Sequence, residues 1–154
     1  AAYVIGHFEY MLESIIALAA FIPVIIGMGG NIGTQSSTII VRGMATGRIE
    51  LGNELKILLK ELRVGLILGS LYGLLLGIFA NFKFLNSDPM LGVVVGLSIC
   101  SSMLLATIVG AFTPLVLRKL DIDPAIATGP FVTTSIDIIG VLLYFFIAVS
   151  LLSI

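Results

Sequence analysis

Residues 124–154, PAIATGPFVTTSIDIIGVLLYFFIAVSLLSI, form an apolar run in which Asp137 and Tyr144 are the only ionisable side chains. A helix that crosses a bilayer needs about 20 such residues, and this run exceeds that length. Three further stretches, 14–42, 64–84 and 91–117, are of the same kind. A segment in hydrocarbon must satisfy its backbone hydrogen bonds internally, so each is expected to be α-helical. The predicted fold class is all-α: a polytopic membrane helical bundle with four full spans in this chain.

Composition agrees. The 154 residues are 58% hydrophobic and 11% charged, with a mean hydropathy of +1.19. Soluble domains carry about a quarter charged residues, so this chain has too few to cover a water-facing surface. Its one cysteine, Cys100, excludes an intrachain disulfide. With His7 the sole histidine, a zinc or iron site within one chain is not expected. A formal net charge of −1 gives no reason to expect a nucleic-acid partner. The opening AAYVIGHF has neither an initiating Met nor a basic n-region, so it is not a signal peptide. Residues 1–13 read as the end of a truncated first helix and an external loop, which gives five spans per subunit.

Residues 43–63 join the first two full spans. Leu51, Leu55, Leu58, Leu59 and Leu62 recur at helical spacing among Glu54, Lys56, Lys60, Glu61 and Arg63. Such a segment is expected to lie along the membrane face as an amphipathic connector. Basic residues concentrate in this linker and at Arg118 and Lys119, with only Lys83 in the linker between. The positive-inside rule makes the first and third linkers cytoplasmic and places the C-terminus outside. The expected location is the plasma (inner) membrane, multi-pass, with lipid as a partner.

Two constellations could carry chemistry. In FIPVIIGMGGNIGTQSSTIIVRG, residues 21–43, Pro23, Gly27, Asn31 and Gln35 recur every fourth residue, with Gly30, Thr34 and Thr38 on the same side. That face could line a wet path. On another side, Gly29, Gly33 and Ser37 form a small-xxx-small series that serves close helix packing with no transport role.

The second constellation surrounds Asp137. Helical steps back reach Thr134, Thr133, Pro130 and Gly129, and steps forward reach Gly140 and Tyr144. Ile136, Ile139 and Leu143 form the opposite, bulky face. Pro130 lacks an N–H, which would free the carbonyl of Ile126 within a helix running through it. A carboxylate at mid-bilayer costs about 2.5–3.5 kcal/mol, and such residues usually face a protein interior or an ion path. The alternative is a protonated Asp137 bonded to a neighbouring hydroxyl. One acid per chain binds a dication poorly, but a two-fold dimer brings two copies to a common site. The available ligands are hard oxygens, which suit Mg²⁺ or Ca²⁺.

PVIIGMGGNIGTQSSTIIVRGMATGRI (23–49) and DPAIATGPFVTTSIDIIGVLLYF (123–145) closely resemble the MgtE family of magnesium channels and transporters. The resemblance covers essentially the whole chain as that family's transmembrane domain. It implies a homodimer with five helices per subunit and a pore on the dimer axis between the second and fifth helices. It also implies a hydrated Mg²⁺ as the transported ion, held by Asp137 with backbone carbonyls of Thr133 and Gly129. Asn31 and Thr34, on the stripe that includes Gly30, would line the cytoplasmic half, and Gly27, Thr134 and Pro130 are further pore-lining candidates. The cytoplasmic magnesium-sensing portion typical of bacterial members is not in this sequence, so regulatory domains or a subunit outside it are expected partners.

No enzymatic activity is expected. An intramembrane aspartyl-type enzyme needs paired acids, and the chain offers one at membrane depth; a non-transporting helical scaffold would use only the small-residue series.

Overall fold

Among the described residues, four helices are long and apolar enough to cross a membrane: α3 (Ala17–Ala45), α4 (Glu54–Lys83), α5 (Leu91–Lys119) and α6 (Pro130–Leu151). Two short helices, α1 (Ala2–His7) and α2 (Glu9–Ser14), precede them, and a 3₁₀ turn over Pro124–Ala127 leads into α6. The computed structural model describes residues 1–14, 16–49, 52–84, 88–127 and 129–152, among which there is no strand. Residues 15, 50–51, 128 and 153–154, which fall within the expected spans and connector, lie outside the described residues.

The helices form two linked groups. α3, α5 and α6 pack on one another around Leu18, Ile25, Ile99, Met103, Ile136 and Phe145, all buried. α4 packs along α5 and hardly touches α3. The reason lies in spacing. Gly65, Gly69, Gly73 and Gly77 recur every fourth residue of α4 and face Thr107, Cys100, Gly96 and Gly92 of α5. A Cβ at Gly73 would stand 2.5 Å from the Gly96 carbonyl oxygen, and one at Gly77 would stand 2.6 Å from that of Gly92. Only bare backbones approach this closely, and in lipid such close packing is a main source of helix association. Asn81 adds a bond, its Oδ1 accepting from the Gly92 N–H at 3.0 Å. Across the small gap to α3, the Ser36 hydroxyl donates to Glu61 on α4.

Two expectations change. The segment 43–63 is not a separate surface element throughout, because its second half is continuous with the following span as the first turns of α4. The last helix begins at Pro130, not at residue 124. Gly129, its N-cap, sits at φ 85°, a left-handed conformation that favours glycine, and Pro130 occupies the first helical position where its missing N–H costs nothing. Ile126 is consequently in the 3₁₀ turn, and its carbonyl is not orphaned inside a helix. On the bulky face, Ile136 is the buried member. It is buried against Gly29 and Gly33 of α3, so the small-residue series serves packing.

Candidate functional site

Asp137 stands on the second turn of α6, partly buried, against α3. Gly30 is the residue opposite. A Cβ placed on Gly30 would lie 3.5 Å from Asp137 Oδ1 and 3.8 Å from Thr133 Cγ2. The absent side chain therefore leaves room beside the carboxylate, and the two sequence constellations meet at this point.

Hydroxyl groups around the meeting point are already committed as donors. Thr34 Oγ1 donates to the Gly30 carbonyl at 2.8 Å. Thr133 Oγ1 has the Pro130 carbonyl at 3.2 Å and the Gly129 carbonyl at 3.4 Å as acceptors. Each hydroxyl turns its hydrogen toward its own helix and keeps lone pairs for another donor. The Gly129 carbonyl also accepts the Thr133 N–H at 3.1 Å, the first bond of α6.

The remaining expected residues separate into groups. Gly27, Thr134 and Pro130 are exposed, and a Cβ at Gly27 would meet nothing within 4 Å. Asn31 and Gln35 are exposed one step further round α3, where they border a depression of about 230 Å³ shared with Leu68 and Tyr72 of α4. They are not brought against Asp137. Gly140 and Tyr144 leave the polar face altogether. Gly140 packs on Ser102 of α5, and the buried Tyr144 hydroxyl donates to the Leu18 carbonyl at 2.9 Å. Among the described residues no group of three His, Cys, Asp or Glu side chains could hold a metal ion within one chain.

Two features are not anticipated by the sequence patterns above: the burial of Glu61, 4% exposed, and the glycine series of α4. One signal carries both, since Glu61 stands four residues before Gly65 and occupies the same face.

Residues 22–147 match the MgtE family, described as a divalent cation transporter. The magnesium transporter MgtE of Thermus thermophilus is 40% identical over 145 residues, which cover 94% of this chain and 32% of that protein. The magnesium transporter MgtE of Bacillus subtilis is 35% identical over 145 residues, with the same shares. That of Enterococcus faecalis is 36% identical over 147 residues, 96% of this chain and 32% of that protein. The chain thus spans about a third of the length of these relatives. They are named as transporters, which bears out the reading of the chain as a non-enzyme.

Proposed function

The chain belongs to the MgtE family of divalent cation transporters, and on that premise we propose that it forms the membrane path for hydrated Mg²⁺ at the axis of a homodimer. The observation that carries this reading is the placement of Asp137 against Gly30, at the margin of an uncovered polar strip on membrane-spanning helices. Asn31, Gln35, Thr38 and Thr134 are exposed along that strip. Left against lipid, they and a carboxylate would be costly; a second copy packed on this side removes them from it.

An isologous contact brings two Asp137 carboxylates to one axis. A dication between them offsets both charges, which makes the acid's position energetically reasonable. Mg²⁺ gives up its water reluctantly, and its bound waters present hydrogens outward. Carboxylate oxygens and the hydroxyl lone pairs of Thr34 and Thr133 are acceptors for those hydrogens. Backbone carbonyls of Gly129 and Thr133 complete the ion's surroundings in this proposal. The space at Gly30 then accommodates the hydration shell, where a larger residue would fill it.

Reconstituted protein is expected to pass Mg²⁺, and Asp137→Ala to abolish that flux or reduce it sharply. Flux unchanged in the variant would refute the assignment of Asp137. Cross-linking of cysteines placed at Thr134 in two copies tests the dimer axis separately.

A further inference from the structure

At the end of α3 away from α1, the chain turns back on itself and borders an open pocket of about 350 Å³, large enough for a small ligand. Arg42, Arg48 and Lys60 line it, flanked by Ile39 and Ile49. The turn is fixed by backbone bonds. Gly47 adopts φ 69° just beyond the helix, and the N–H groups of Arg48 and Ile49 both donate to the Gly43 carbonyl, at 2.9 and 3.1 Å. Ile49 then packs beside Ile40, Ala111 and Leu115, with its side chain against Gly43, where any Cβ would collide with it. Arg48 is held beside Arg42 by this geometry.

The electrostatics favour an anion. Helix C-termini normally repel one through their free carbonyls, but here the carbonyls of Arg42, Gly43 and Met44 all accept bonds from the turn. Among the described residues, the nearby acids Glu54 and Glu61 are engaged elsewhere. Glu54 pairs with Lys119 at 2.9 Å, and buried Glu61 accepts the Ser36 hydroxyl. Among the described residues no carboxylate pairs with Arg42, Arg48 or Lys60. Thr46 also lines the cavity, but its hydroxyl donates to the Arg42 carbonyl at 3.0 Å, so the three cations are the site's donors.

We propose that this pocket binds a phosphate ester, supplied by the membrane as the headgroup of an anionic lipid. Arginine presents paired N–H groups that fit phosphate oxygens, and basic pockets between membrane helices are suited to such headgroups. Apolar residues at the same level select the lipid as the source. Ile39, on the pocket lining beside the cations, is 45% exposed, where an acyl chain would lie against it.

The test uses the purified full chain in neutral detergent, with native mass spectrometry reading the lipid retained. Phosphatidylglycerol is expected to be held and phosphatidylcholine not. The variant Arg42→Gln/Arg48→Gln/Lys60→Gln should weaken retention on the order of a hundredfold, at a few-fold per cation. A control with equal charge change, Lys56→Gln/Arg63→Gln/Arg118→Gln, should retain lipid as wild type does. Arg48→Gln alone, a change at an exposed turn residue that leaves the fold in place, should show a several-fold loss. Equal losses in the triple variant and its control, or equal retention of the two lipids, would overturn the proposal. Thermal unfolding with inorganic phosphate separates the sources: stabilisation by millimolar phosphate, lost in the triple variant and without lipid retention, would overturn the lipid as source.

Discussion

The Ser36 hydroxyl donates to the carboxylate of Glu61 across 2.7 Å, joining α3 to α4 where those two helices otherwise scarcely meet. Both side chains are buried, so losing one partner exposes the other to the full cost of an unmet polar group. Ser36→Ala is expected to lower stability by about 1–3 kcal/mol in chemical unfolding. Glu61→Gln keeps an acceptor for the hydroxyl and should cost less than Glu61→Ala. The reverse order would show that the pair does not form.

The gap at Gly30 yields a graded prediction. Gly30→Ala places a methyl 3.5 Å from Asp137 Oδ1, in ordinary contact. Partial loss of Mg²⁺ flux is expected, and Gly30→Val should lose as much as Asp137→Ala. Vesicle flux measured with a Mg²⁺ indicator decides it; full flux in Gly30→Val would remove the need for space there.

Packing of α4 rests on its glycines. Gly73→Leu drives a side chain into the Gly96 backbone and should destabilise by about 1–3 kcal/mol or more. Leu71→Ala, at an exposed position on the same helix, should stay within about 0.5 kcal/mol. Comparable losses in both would deny the glycine contact its role.

Ser102 lies between Gly29 and Gly140 at the junction of α3, α5 and α6, with its buried hydroxyl unpartnered among the described residues. Ser102→Ala removes that hydroxyl while filling the same narrow space. Thermal unfolding should show stability unchanged or raised by about 1 kcal/mol. A marked loss would reveal a bonded water in place of an unmet group.

Ligand linkage gives a test independent of flux. Mg²⁺ at a hundredfold its dissociation constant should stabilise the protein by about 2.7 kcal/mol, and Asp137→Asn should abolish that rise in melting temperature. An identical rise in the variant would locate Mg²⁺ binding elsewhere.

Length and hydropathy made the four spans legible, because hydrocarbon permits few alternatives to a long apolar helix. Asp137 was equally legible as a lone carboxylate in a run that should have none. The start of α6 was not. A proline beside small residues reads alike in a helix interior and at a helix start, and only the left-handed Gly129 decides between them. Helical spacing likewise put Gly140 and Tyr144 on the aspartate's stripe. Spacing gives the angle around one helix but not the neighbour it meets, and here α5 and α3 take both residues inward. Glu61 was hidden for a related reason, since an acid among lysines looks solvated until the opposing helix is in place.

The committed hydrogens of Thr34 and Thr133 have a consequence for what is turned away. At the level of Asp137 these side chains show lone pairs, and the carboxylate adds negative charge. A chloride ion arriving there would find neither hydroxyl free to greet it and a like charge beside them. On the proposed path, anions are then disfavoured by where two threonines point their protons and by the negative charge beside them.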